Sequence, residues 1–373
     1  MLGTALVNMY AKCGALKVAE QVFHELPNQK IVCWNALIVG YVEQGKGEKA
    51  LNSFERRIRE GIEPNAITYI SGLKACGSIG SLEKIKQIHE CISKSNILEK
   101  HSALGNALVD MYAKCGMLAQ AQKLHDQLSA RSVGSWNALI AGYVEHGQSH
   151  EALTCFECMK EECFSPDSVT FLCVLKVCGS TGSIEKGKEV HDKIMCSGLL
   201  DQNIALGSGL VDMYAKCGCL AKAQQVHDEL NVRSVISWSS LIAGYAQQGF
   251  GEKALHLFDA MQQYAVKPTP ITLVLILRAC SSVAEGRKIH SLIIESGLEL
   301  EEFAGSSLID MYGKCCSLED ACALFDGMLK RNSVTWTIML SAYIHSGHET
   351  DAIQLFRLMK KKNVYPDIVT FVH

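Results

Sequence analysis

Apolar residues recur at helical spacing along the whole chain. In NALVDMYAKCG (106–116), Ala107, Leu108, Met111, Tyr112 and Cys115 fall on one helical face. Gly116 follows, where a helix C-cap calls for a left-handed residue. LAQAQKLHDQL (118–128) repeats the pattern, with Leu118, Ala121, Leu124 and Leu128 on one stripe. WNALIAGYVEHG (136–147) and HEALTCFECMK (150–160) give a second pair, closed at Pro166 and Asp167. Pro64, Pro268 and Pro366 mark the same boundary elsewhere, where proline stops a helix. The pattern predicts helices in pairs.

These pairs repeat. MYAKCG falls at 9, 111 and 213, and MYGKCC at 311. WNALI at 34 and 136, WSSLI at 238 and WTIML at 336 keep the same intervals, as do LKAC at 73, LKVC at 175 and LRAC at 277. Each 102-residue block therefore holds three units, of 31, 35 and 36 residues. The last MYAKCG interval is 98, because residues are missing between Cys280 and Gly305. The chain parses as eleven units: 1–30, 31–65, 66–101, 102–132, 133–167, 168–203, 204–234, 235–269, 270–301, 302–332 and 333–367. Residues 368–373 read as the start of a twelfth helix. One such pair cannot bury its apolar stripe alone, so the expected fold is all-α, a single solenoid of stacked helix pairs over 1–373. Neither end carries a polar cap, and the chain reads as a fragment.

Composition adds limits. The net charge is −3, which argues against a strongly basic nucleic-acid binder but leaves room for a local groove. No apolar run is long enough to span a membrane, and no leader pattern follows Met1. The 17 cysteines read as reduced thiols in a chain of this length. Those at 13, 115, 217 and 315, and at 76, 178 and 280, are expected to pack as small apolar residues. Cys155 and Cys158 form a CxxC with Cys163 nearby, but within a predicted helix and with no second ligand pair to make a zinc site.

The alternation of WNALI, LKAC and MYAKCG units resembles the pentatricopeptide repeat family, and more narrowly its plant PLS subclass, in which P, L and S motifs alternate. The resemblance covers essentially the whole chain. The 31-residue units are then S, the 35-residue units P and the 36-residue units L. It implies a fragment lacking a transit peptide and any C-terminal E/DYW-type domain. It also implies binding of single-stranded RNA, one base per motif, in mitochondrion or chloroplast. No cofactor is implied.

In that family the fifth residue and the last residue of a motif read the base. Carried over, the readers are Thr4 with Lys30, Asn35 with Asn65 (a pyrimidine), Asn106 with Ser132 (C) and Asn137 with Asp167 (U). Further along they are Ser208 with Ser234 and Ser239 with Thr269 (purines), Ser306 with Asn332 (A) and Thr337 with Asp367 (G). The L motifs carry Ile70, Leu172 and Val274 at the fifth position, which cannot hydrogen-bond a base. That the same site accepts these apolar residues speaks against a purely capping role. An apolar residue near each motif start sandwiches the base; Val32, Ile236 and Val334 fit, and Gly134 departs. Lys12, Lys114, Lys216 and Lys314 match the phosphate-contacting place, though the dipole alone would also favour lysine at a helix C-terminus. Glu43, Glu145, Gln247 and His345 stand there in the P motifs.

One letter match bears on catalysis. His227-Asp228-Glu229 reads as the HxE of zinc deaminases, but it lies in the second helix of a repeat and no proline is followed by cysteine. The expectation is a non-enzyme with no metal site. It would direct C-to-U RNA editing, with a deaminase or other editing-complex proteins supplied in trans. The alternative is a protein-binding scaffold of tetratricopeptide type.

Overall fold

The computed structural model describes residues 2–26, 31–95, 97–98, 101–200, 202–297, 302–328, 330–366 and 370, with Leu2 and Glu302 described by backbone alone. The regular elements among the described residues are all α-helices. The packing divides the chain into two compact units, Met1–Val177 and Cys178–His373.

The first unit holds α1 (Leu2–Lys12), α2 (Leu16–Glu25), α3 (Ile31–Glu43), α4 (Gly47–Arg59), α5 (Ala66–Ile79), α6 (Leu82–Lys94), α7 (Ser102–Lys114), α8 (Leu118–Gln127), α9 (Val133–Glu145) and α10 (Ser149–Glu161). The division falls within α11 (Ser168–Thr181). The second unit holds α12 (Ile184–Ser197), α13 (Ile204–Lys216), α14 (Leu220–Glu229), α15 (Val235–Gln247), α16 (Gly251–Gln263), α17 (Pro270–Leu277), α18 (Val283–Glu295), α19 (Glu302–Lys314), α20 (Leu318–Gly327), α21 (Ser333–His345) and α22 (Glu349–Lys361).

Within each unit the odd-numbered helices form one row. In the first, α1, α3, α5, α7 and α9 each pack on the next; in the second, α13, α15, α17, α19 and α21 do the same. The composition of the helices explains the layering. α7 buries Leu104, Leu108, Val109, Met111 and Tyr112, a wide apolar surface suited to neighbours on several sides. α10 buries only Ala152, Cys155, Phe156 and Met159, one stripe, and leaves the rest to water.

The rows are pinned by aromatic pairs. Trp34, Trp136, Trp238 and Trp336 are buried, and each takes a ring edge from the preceding helix: Phe23 at 4.6 Å, His125 at 4.2 Å, His227 at 4.3 Å and Phe325 at 5.0 Å between centroids. A second set of rings is hydrogen-bonded: His89 to Tyr112 at 3.0 Å, and His191 to Tyr214 and His290 to Tyr312 at 2.9 Å.

The helix ends need left-handed residues. Gly14, Gly116 and Gly218 supply positive φ, but Cys316 adopts φ +56° in the fourth copy. After the second helix of the 35-residue units, Gly61 has φ +73°, whereas Cys163, Ala265 and Asn363 take φ 63°, 56° and 56°. A Cβ is unfavourable there. Ala265→Gly should therefore stabilise the chain by about 1 kcal/mol, seen as a higher urea midpoint with unchanged slope. A lower midpoint would mean that the Cβ packs usefully.

The cysteine expectation needs correcting. In one register Cys76 and Cys178 are buried and Cys280 is half-buried; in the other Cys13 is exposed and Cys115, Cys217 and Cys315 are half-buried. They sit at or next to the helix C-cap, one residue past the stripe that Tyr112 and its counterparts bury, so the helix ends before it can turn them inward.

Candidate nucleic-acid interface

Among the described residues, the last residue of a repeat unit is the N-cap of the next helix. Asn65 Oδ1 accepts from the Thr68 N–H at 3.0 Å, and Asp167 Oδ1 accepts from the Val169 and Thr170 N–H groups at 3.0 Å. Ser132, Ser234, Thr269 and Asn332 cap α9, α15, α17 and α21 in the same way. The cap side chain is thereby held in one place at the start of an odd-numbered helix.

The fifth residue of the unit, one helix back in the row, meets that cap. Asn35 Nδ2 donates to Asn65 Oδ1 at 3.2 Å, Asn137 Nδ2 to Asp167 Oδ1 at 2.9 Å, and Ser132 Oγ to Asn106 Oδ1 at 3.0 Å. Ser208 and Ser234 share a hydroxyl contact of 2.7 Å. Ser239 and Thr269 do not meet directly; both bond the Thr272 hydroxyl, at 2.7 and 2.9 Å. Ser306 reaches Asn332 through Thr335, at 3.1 and 2.9 Å. Thr337 reaches Thr370 at 2.7 Å, while Asp367 lies outside the described residues. Thr4 accepts from Cys33 Sγ at 3.3 Å, and Lys30 lies outside the described residues.

A third member of each cluster was missed by sequence reasoning. Thr68, Ser135, Thr170, Ser237, Thr272 and Thr335 are fully buried hydroxyls at the third helical position. Their signal was present as NAIT, SVGS, DSVT, SVIS, TPIT and NSVT, a capping-box spacing in which the hydroxyl replaces the usual Glu or Gln. Thr68 and Thr170 also bond the fifth residue, donating to Asn35 Oδ1 at 2.6 Å and Asn137 Oδ1 at 2.5 Å.

Charge at one of these clusters is well defined. Burial alone would raise the Asp167 pKa, but hydrogen bonds from the Thr170 N–H, the Asn137 amide, the Thr170 hydroxyl and the Val169 N–H outweigh it, so Asp167 titrates below an ordinary aspartate.

Within each compact unit, exposed apolar side chains stand at the same register as the clusters. Val32, Ile67, Val169, Ile236, Ile271, Phe303 and Val334 occupy the second position of their repeat units and are 49–65 % exposed. Exposed apolar residues thus recur at one register in successive repeat units. Gly134 breaks the row: a Cβ there would lie 2.6 Å from Asn106 Nδ2. Between Phe303 and Val334 opens a cavity of ≈ 590 Å³, also lined by Ser306, Asn332, Arg278 and Asp310. The cavity is wide enough to admit a flat heterocycle, with Ser306 and Asn332 as polar neighbours.

Three of the four repeated lysines are paired with an aspartate. Lys114 pairs with Asp110 at 2.8 Å, and Lys216 with Asp212 and Lys314 with Asp310 at 2.6 Å. Lys12 has Asn8 at that spacing. The pairing was legible as a Dx₃K spacing on one helix face.

No group of three metal-ligating side chains occurs among the described residues. His227 is buried against Trp238 with neither ring nitrogen hydrogen-bonded. Burial pushes the Cys155 thiol up to about 12, which keeps it protonated and a poor ligand. No helix among the described residues is long and apolar enough to cross a membrane.

A helix-pair repeat with a polar cluster and an exposed apolar residue at the head of one helix per unit defines a class, and the comparisons name it. The PPR repeat family model matches residues 29–78, 131–180, 233–282 and 331–372, and a PPR repeat model matches 4–31, 106–133, 169–199 and 306–333. The chain belongs to the pentatricopeptide repeat family. A pentatricopeptide repeat-containing protein of Arabidopsis thaliana is 36 % identical over 98 % of this chain and 54 % of its own length. Two others from that plant, one mitochondrial and one chloroplastic, are each 34 % identical over 99 % of this chain, covering 43 % and 46 % of themselves. The chain thus spans about half the length of these relatives. In fold it is similar to maize PPR10 in complex with an 18-nt psaJ RNA element, with a TM-score of 0.81 at 18 % identity over 99 % of this chain and 56 % of that one.

Proposed function

We propose that this chain binds single-stranded RNA in a sequence-specific way, one base per repeat unit, in a plant mitochondrion or chloroplast. It acts as the targeting part of a C-to-U editing factor, as PLS-class relatives do, and the chemistry is supplied by another domain or partner. The observation that carries the reading is the recurrence of one arrangement: a polar pair at the head of a helix, flanked by an exposed apolar side chain. Polar atoms there can read a base edge while the apolar residue covers its face.

The Asn137–Asp167 unit supports a base assignment from chemistry. An ionised carboxylate accepts only. Uracil offers an N3–H donor at its Watson–Crick edge, whereas cytosine offers an N3 acceptor that Asp167 would repel. The full order, from the second unit on, is pyrimidine, any, C, U, any, purine, purine, any, A, G.

A gel shift with an 11-nucleotide RNA of this order against a scrambled one tests the reading. Equal affinity for both at moderate salt would overturn base reading. Asp167→Asn should move the preference at its base from U toward C by roughly ten-fold. An unchanged preference there would show that Asp167 serves only as a helix cap.

A further inference from the structure

Arg57 is fully buried at the back of the Asn35–Asn65 cluster. The same position in the other 35-residue units is Met159, Met261 and Met359, all fully buried. An arginine in a methionine slot needs a reason, because an uncompensated buried charge is costly. No carboxylate pairs with it among the described residues; its neighbour Arg56 takes Glu60, at 2.9 Å. The guanidinium is instead turned into the polar cluster. Nη1 donates to Asn35 Oδ1 at 3.1 Å and to the Thr68 hydroxyl, and Nη2 donates to the Glu63 carbonyl at 2.6 Å. Nε is buried with no partner. Burial lowers the Arg57 pKa, though an arginine so placed stays charged.

The hydrogen-bond count then fixes what this unit can offer a base. A guanidinium only donates, so the Asn35 amide must turn its oxygen to Arg57. The single hydrogen of the Thr68 hydroxyl has that oxygen at 2.6 Å and Asn65 Oδ1 at 2.8 Å; given to the nearer, it fills both lone pairs of Asn35 Oδ1. Asn35 Nδ2 gives one hydrogen to Asn65 Oδ1, which also accepts from the Thr68 N–H. What remains is one N–H of Asn35 and the NH₂ of Asn65: donors only. The cation further polarises the Asn35 amide and strengthens its remaining N–H. Among the RNA bases, cytosine alone presents two adjacent acceptors, O2 and N3, on its Watson–Crick edge. Uracil places an N3–H between O2 and O4, facing donors with a donor.

We propose that Arg57 sets the specificity of the 31–65 unit, making it a donor-only reader that selects cytosine over uracil. This rests on the RNA reading above. It makes Arg57 a positioning residue acting through Asn35.

The test is binding of the full chain to the 11-nucleotide RNA with C or U at nucleotide 2, for wild type, Arg57→Met and Arg57→Lys. The expected result is a wild-type preference for C that falls about five-fold in Arg57→Met and is partly kept in Arg57→Lys, which retains a donor cation. The C-to-U ratio at the nucleotide of the Asn137–Asp167 unit should not change. Methionine is native at the equivalent sites, so Arg57→Met is compatible with the fold. The same C-to-U ratio at nucleotide 2 in wild type and Arg57→Met would overturn the proposal, as would a wild-type preference for U there. Either can occur with RNA recognition intact elsewhere. A wild-type chain that does not distinguish the designed RNA from a scrambled one would overturn the RNA reading itself, and this proposal with it.

Discussion

Acidification from pH 7 to pH 4 should cost the Cys178–His373 unit on the order of 2–3 kcal/mol through His227 alone. The ring is fully buried, stacked edge-on to Trp238, and neither nitrogen has a hydrogen-bond partner. Desolvation and the nearby Arg233 charge outweigh the pull of Asp228 and lower its pKa from 6.5 to about 4. The sign follows from linkage. The unfolded chain takes up a proton on this histidine below about 6.5, while the folded chain resists until about 4. The stability from keeping His227 neutral is complete above 6.5 and is lost as pH falls through the window down to 4. Phe325 and Phe23 fill the same place over Trp336 and Trp34, so His227→Phe should fold normally. It should also be more stable at pH 7, because two unpartnered ring nitrogens are removed. Urea midpoints at several pH values, compared between wild type and His227→Phe, isolate this residue from the carboxylates that titrate alongside it. Parallel pH curves for the two proteins would refute the account. His125, over Trp136 in the other unit, is lowered for the same leading reason, burial, and should behave in the same direction.

Replacing Asp110, Asp212 and Asp310 together by Asn should strengthen RNA binding by about ten-fold at low salt. Each aspartate holds a repeat lysine four residues on, so each such helix end is close to neutral. An exposed ion pair of this kind adds little stability, which makes the exchange cheap for the fold. If the lysines touch phosphate, their release lets each one displace a counterion fully. The slope of log K against log salt should steepen by up to about 0.7 per lysine. Ser240 donates to Asp212 at 3.0 Å, and the amide oxygen introduced by Asp212→Asn can still accept that bond. Unchanged affinity and slope would mean that Lys114, Lys216 and Lys314 are solvated helix-end charges and nothing more. Lys12, with Asn8 at the same spacing, should already act as the freed lysines would.

Much of the fold was legible because helical order is local. The 3.6-residue stripe in VDMYAKCG, the glycine after it and the proline after the second helix all act within a few residues. The proposed base-reading positions entered by resemblance, and the structure shows which of them lie in hydrogen-bonded clusters. The hydroxyls Thr68, Ser135 and Thr170 were visible as capping boxes but carried no sign that two of them would also reach a side chain 33 residues earlier. The aspartate partners of the lysines were visible as spacing and were overlooked. The cysteines misled because a helical stripe extrapolated one residue too far counts a helix-end side chain as core.

That this chain is a series of paired helices with three alternating unit types follows from its residue order alone, because periodicity, caps and breakers are short-range properties. Which polar groups share a cluster is a matter of packing. Asn35, Asn65, Thr68 and Arg57 come from three helices and a cap, and they meet only because α3, α4 and α5 pack side by side. Whether a side chain there is left with donors or acceptors depends on which neighbours already use its lone pairs. That is a property of the packed neighbourhood, and no single stretch of sequence contains it.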